Sequence, residues 1–210
     1  MKSLIHLDKE SDTYQTIKHR SESIYKEKGS KFISLAIPVT TESEVKSVLK
    51  ELKSNYSDAG HHCYGFRLGS NLKTYRFSDD GEPSGTAGKP IFGQIQSFEL
   101  TDVLIVVIRY FGGTKLGVGG LIQAYKESAR LAITKNTIIK KHETLGFNIL
   151  FDYSRMNEIM RIIKKHNLTI IEQNFQEKCT LIFTIRKSKC TPIILELKNL
   201  QFHPKRTNTN

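Results

Sequence analysis

No apolar run in this sequence approaches the roughly 18 residues that a membrane-spanning helix needs. Cysteine is scarce: Cys63, Cys179 and Cys190 are widely spaced, and no C-x-x-C pair occurs. That pattern fits reduced thiols and argues against a disulfide frame or a zinc site. The first residues, Met1-Lys2-Ser3-Leu4-Ile5-His6-Leu7-Asp8, lack the apolar core and small-residue cleavage site of a secretion signal. These absences predict a cytoplasmic protein with no membrane partner. Internal repeats and low-complexity tracts are missing too. Neither G-x-x-x-x-G-K-[ST] nor G-x-G-x-x-G occurs, so no nucleotide cofactor is expected.

Acidic residues are in deficit. The 210 residues hold 32 Lys+Arg against 21 Asp+Glu, a formal charge of +11. Residues 1–140 carry 20 basic and 15 acidic side chains, a net of +5, and residues 141–210 carry 12 and 6, a net of +6 in half the length. Such a chain favours polyanions such as RNA, with binding that weakens as salt rises. The plain alternative is a generally basic soluble protein. A hydrophobic content of 38% leaves room for a packed core, and the length suits one large domain or two small ones.

Residues 1–12 read as a loosely held lead-in. Residues 22–28 alternate weakly, and Gly29-Ser30 can turn the chain into a better strand over 31–37, closed by Pro38. Thr41-Glu42-Ser43-Glu44 is a capping box, and the helix after it sets Val45, Val48, Leu49 and Leu52 on one face. Strands follow over 59–68 and 74–77. These segments predict a mostly antiparallel sheet. Val103-Leu104-Ile105-Val106-Val107-Ile108 is continuous and mostly β-branched, which predicts a central strand buried on both faces. A helix from Leu116 carries Val118, Leu121, Ile122, Tyr125, Ala129, Ala132 and Ile133 at i, i+3, i+4 spacing. The polar, basic stretch 135–142 is a candidate boundary. Beyond it come a strand over 145–151, a helix over 154–166, strands over 168–175 and 178–186, a helix over 188–200 and a short strand near Gln201-Phe202. That βαββα(β) order fits a small ferredoxin-like domain. The tail from Pro204 is polar and is expected to fray.

Two glycine-rich runs stand out. The first is Ser78-Asp79-Asp80-Gly81-Glu82-Pro83-Ser84-Gly85-Thr86-Ala87-Gly88-Lys89-Pro90-Ile91, with Pro83 placed to open a helix. The second is Arg109-Tyr110-Phe111-Gly112-Gly113-Thr114-Lys115-Leu116-Gly117-Val118-Gly119-Gly120. A buried strand that runs through Gly112-Gly113 into a helix offers free amides and a positive dipole end, flanked by Arg109 and Lys115. Such a place can hold a phosphate or carboxylate. Equally, another element of the chain can pack there, since Gly119 and Gly120 cost roughly 1 kcal/mol each inside a helix unless backbone approaches closely. Asp79, Asp80 and Glu82 could hold Mg²⁺ or supply a general base, or they could cap a helix and pair with the Arg/Lys loop. No nucleophile–base pair is visible, so neither a catalytic residue nor a metal ligand is assigned. His61-His62-Cys63 reads as a buried thiol beside a hydrogen-bonded imidazole, because only His61 and Cys63 share a strand face.

The two runs, together with Lys28-Gly29-Ser30-Lys31-Phe32-Ile33 and His61-His62-Cys63-Tyr64, resemble the YigZ/IMPACT family over residues 14–135. The remainder is similar to the C-terminal domain of its bacterial branch. The resemblance implies an α+β protein. Its N-terminal two-layer α/β domain (1–140) would resemble domain IV of elongation factor G. A ferredoxin-like domain (141–204) would resemble domain V, with a polar tail over 205–210. It implies a non-enzymatic, translation-linked regulator whose partner is RNA, the ribosome or a translation-regulatory protein. Eukaryotic members restrain the general-control kinase pathway, a role not carried over to this sequence, which lacks the extra RWD domain that they carry. The candidate anion-binding residues are Arg109, Gly112, Gly113, Lys115 and Gly117. Asp79, Asp80, Glu82, Ser84, Thr86 and Lys89 would form the wall of a shared groove, and Arg155, Arg161, Lys164 and Lys165 would add affinity. A hydrolase of an anionic small molecule and a protein-binding module are the competing readings.

Overall fold

The computed structural model describes residues 12–176 and 178–207. The expectations for most of the lead-in and for the last three residues lie outside it. The chain divides into two compact units, one of them Tyr14–Lys141. The described residues of the other are Asp12, Thr13, 142–176 and 178–207. Among the described residues no helix is long and apolar enough to cross a membrane.

The first unit contains β1 (Thr13–Ile17), β2 (Ser21–Glu27), β3 (Ser30–Pro38), α1 (Glu42–Asn55), β4 (His61–Leu68), β5 (Thr74–Ser78), α2 (Gly88–Ser97), β6 (Val103–Tyr110), α3 (Gly117–Thr134) and β7 (Ile138–His142). Its main sheet has the order β2-β3-β6-β4-β5 with every neighbouring pair antiparallel. β6 lies at the centre, and the expected continuous apolar run is buried throughout. Alternation splits that run between two cores. Ile105 and Val107 pack with Phe32, Cys63, Ile91, Ile95 and Tyr125 under α2 and α3. Leu104, Val106 and Ile108 pack with Leu35, Phe66 and the α1 residues Val45 and Leu52. The α+β class holds, and α1 adds a layer to the two expected.

α1 starts where the capping box predicts. Thr41 Oγ1 accepts from Glu44 N at 3.2 Å, while Glu44 Oε2 accepts from Thr40 N at 2.7 Å. The carboxylate thus reaches one residue before the cap. β1 and β7 pair with each other. Stretch 135–142, read as a polar candidate boundary, therefore contains a strand, hidden in the sequence by its Lys-Lys-His polarity.

The second unit contains β8 (Thr144–Asp152), α4 (Met156–Lys165), β9 (Thr169–Phe175), β10 (Lys178–Arg186), α5 (Cys190–Asn199) and β11 (Lys205–Thr207). The sheet order is β11-β8-β10-β9, all antiparallel. This βαββαβ chain with its fourth strand beside its first is the ferredoxin-like arrangement. Phe147, Ile149, Leu181, Phe183, Ile159, Ile163, Ile193 and Leu197 fill the core between sheet and helices. The last strand sits later than expected. Residues 201–202 form no strand, and Phe202 is buried beneath Arg155 instead. Lys205–Thr207, read as tail, completes the open edge of β8, where Arg206 faces Phe147. Asp12, read as part of a loose lead-in, is 4% exposed. Its carboxylate accepts from Arg186 Nη2 at 2.7 Å, Arg186 Nε at 2.9 Å and Ser188 N at 2.9 Å. Arg186 holds that carboxyl well below the usual carboxylate range against the opposing effect of burial.

Candidate functional site

The two glycine-rich runs do meet, and what joins them is a buried network of side chains. β6 carries Arg109 inward, where Nη1 donates to Glu82 Oε1 at 2.7 Å. Tyr125 of α3 donates its hydroxyl to the same oxygen at 2.7 Å. Cys63 of β4 donates its thiol to the Asp79 carbonyl at 2.9 Å and lies 3.4 Å from the Tyr125 hydroxyl. Arg109 also spans the rings of Phe32 and Phe111, at 5.5 and 5.6 Å. Its second amino group points to Ser30 Oγ at 3.4 Å. Burial pushes the Cys63 thiol up to about 12 and raises the Tyr125 phenol, so both are neutral at physiological pH.

Each acid of the first run has partners within the fold. Asp79 accepts from the backbone N–H groups of Gly85 (2.8 Å), Ala87 (3.0 Å) and Gly88 (2.8 Å), and so satisfies the start of α2. The helix itself begins at Gly88 rather than at Pro83, which lies in the turn that Asp79 organises. Asp80 adopts a left-handed conformation, φ 41°, ahead of Gly81. Its carboxylate accepts from His62 N at 2.7 Å and Lys53 Nζ at 3.0 Å, and its carbonyl lies 2.9 Å from His61 Nδ1. Burial alone would raise Asp80, but the His62 amide and Lys53 outweigh it and hold the carboxyl low. Thr86 Oγ1 donates to the Pro83 carbonyl at 2.6 Å, whereas Ser84 and Lys89 are exposed. A base or a metal-binding group needs a free carboxylate, and these are occupied.

The second run divides by depth. Arg109 is buried and its charge is met by Glu82, so the structure does not present it to a phosphate as the sequence suggested. Gly112 is the close-approach glycine: a Cβ there would lie 1.8 Å from the Gly29 carbonyl carbon and 2.2 Å from Ser30 N. The N–H of Gly112 donates to Ser30 Oγ at 3.3 Å, which ties the run to the β2–β3 turn. Gly113 and Gly117 have φ of 85° and 71°. Gly112, Gly113, Lys115 and Gly117 are exposed, as are Phe111, Val118 and Gly119. Close approach does not explain Gly119, which has open space around it. In the second unit Arg155 pairs with Glu158 at 2.7 Å and covers Phe202, and Lys165 pairs with Glu196 at 2.8 Å. Arg161 and Lys164 are exposed on α4.

The groove of the first unit is not walled by the acids. It runs between α2 and α3, and Gly85, Lys89 and Pro90 are the residues of the first run that line it. Ile122 and Lys126 line it from α3, and Gln94 from α2. Sequence periodicity set Ile122 in the core. The signal against that was Lys126, four residues on along the same row of the helix.

A family model described as the Impact N-terminal domain matches residues 28–133. An IMPACT family member from Haemophilus influenzae is 32% identical over 173 residues, covering 81% of this chain and 84% of that protein. The IMPACT family member YvyE of Bacillus subtilis is 32% identical over 165 residues, 79% of this chain and 76% of its own. A crystal structure of a hypothetical protein superimposes with a TM-score of 0.72 at 24% identity, covering 94% and 98% of the two chains, and so shares the fold. Matching from the β2–β3 turn to the end of α3, with both glycine-rich runs inside the match, this chain belongs to the IMPACT family.

Proposed function

We propose that this IMPACT family member is a translation-linked regulator that binds RNA, in the free state or on the ribosome, and performs no catalysis of its own. The observation that carries the reading is the division of labour within the second glycine-rich run. Arg109 is withdrawn into an ion pair, while Gly112, Gly113, Lys115 and Gly117 stay exposed at the start of α3. The amides of that helix start, the adjacent Lys115 and close backbone access suit a phosphate. Arg161 and Lys164 of the second unit, and the net charge of +11, add a salt-dependent attraction for a polyanion. Likeness of the two units to domains IV and V of elongation factor G, drawn from the family resemblance, supports a ribosomal setting. Occupation of Asp79, Asp80 and Glu82 and the neutral Cys63 thiol weigh against the hydrolase alternative.

Fluorescence anisotropy with a single-stranded RNA oligonucleotide and with purified ribosomes tests this. Affinity should fall linearly as log affinity against log salt. Lys115→Glu should weaken binding and reduce that slope by about 1. A flat salt response, or no binding at low salt, would remove the reading.

A further inference from the structure

The groove between α2 and α3 has a volume of about 650 Å³, within the range of ligand-binding clefts. Its floor is apolar: Pro90, Gly93 and Ile122 line it, and Ile122 is 38% exposed. Val118, one turn earlier on the same row of α3, is 61% exposed and extends the apolar strip. One lysine stands on each wall, Lys89 on α2 and Lys126 on α3, and no acidic residue lines the groove. Neither lysine has an ion-pair partner among the described residues. Gln94 lines it as well and is 7% exposed. Its side-chain amide has no hydrogen-bond partner among the described residues. That amide, on a side chain otherwise withdrawn from water, holds two donors and an acceptor that a ligand can meet.

We infer that this groove docks an extended segment of a partner protein in which an apolar side chain is flanked by acidic residues. The apolar side chain would lie over Ile122, Pro90 and Gly93. The acids would reach Lys89 and Lys126. A main-chain amide of the segment would pair with Gln94, whose side chain matches a peptide group in both donor and acceptor. Nucleic acid fits this place less well, since no aromatic side chain lines it for bases to stack on. The site shares no residue with the RNA surface proposed above, so each can fail alone.

The test is selection of random seven-residue peptides displayed on phage against the full chain, with excess single-stranded RNA present. Enriched sequences should carry Asp or Glu on either side of an aliphatic residue. Synthetic copies should lose at least tenfold in affinity with Ile122→Glu, with Lys89→Glu and with Lys126→Glu. Gln94→Ala should weaken them severalfold, and circular dichroism should show every variant folded. Three results would overturn the inference: no acidic enrichment, unchanged binding to folded Ile122→Glu, or displacement of the peptides by RNA.

Discussion

Arg109 and Glu82 are both nearly removed from water, and each is held there by the other and by Tyr125. A buried pair of this kind is costly to break one partner at a time, because the survivor keeps its charge without compensation. Glu82→Ala should therefore destabilise the first unit by about 3–5 kcal/mol. Lys53→Ala, which cuts the exposed pair with Asp80, should cost at most about 1 kcal/mol. Urea titration read at the amide signals of β6 compares them, and equal losses would refute the assignment of Glu82 as the central acceptor. The same network silences Cys63. With its thiol pushed up to about 12 and buried, iodoacetamide at pH 7.5 should leave it unmodified in the folded chain and alkylate it in urea. Mass spectrometry reads the difference. Rapid alkylation of native Cys63 would show a reactive, accessible thiol instead. The thiol's quiet role was legible in the sequence, because a free cysteine within a strand packs as a small apolar group. Its partners were not, since Asp79 and Tyr125 lie 16 and 62 residues away.

At the scale of elements, the central strand, the capping box and every helix of the first unit could be read from spacing and turn residues. What spacing could not decide was which apolar residues on α3 face the sheet. Leu121, Tyr125, Ala129 and Ile133 do, while Val118 and Ile122 look outward. Both sets recur at i, i+4 spacing, and only the position of the neighbouring helix α2 separates them. The glycines divide in the same way. Gly112 is required by the β2–β3 turn pressed against it, and Gly88 by the Ser78 backbone, which a Cβ would meet at 2.7 Å. Gly119 faces open space within α3. Gly112→Ala should thus cost at least about 3 kcal/mol through forced backbone movement. Gly119→Ala should stabilise by about 0.5–1 kcal/mol through helix propensity alone. Thermal unfolding of the pair measures both, and a destabilised Gly119→Ala would mean that the residue is contacted in a way the open space denies.

Across the whole molecule, the chain passes between its units twice, at Thr13–Tyr14 and at Lys141–His142. The second unit takes Asp12 from the stretch of chain that precedes the first, 174 residues from Arg186 in sequence. No local pattern could reveal that pairing, which is why the lead-in looked loose, and the last strand was expected near Gln201-Phe202 rather than at Lys205–Thr207. The borrowed acid gives the second unit a specific dependence on pH. In the unfolded chain Asp12 titrates near the ordinary value of about 3.9, and in the folded unit its carboxyl is held lower. Its contribution is therefore fully present above pH ~4 and is lost as pH falls through the folded value. Asp12→Asn removes the charge that Arg186 meets and should cost about 2 kcal/mol at pH 7. It should also flatten the acid limb, since asparagine has no proton to gain. Urea titrations followed at β8 and β10 amides between pH 7 and pH 2 supply the comparison. The difference between the two proteins should be constant down to about pH 4 and shrink below it. A difference that stays constant to pH 2 would show that Asp12 acts through shape and hydrogen bonds rather than through its charge.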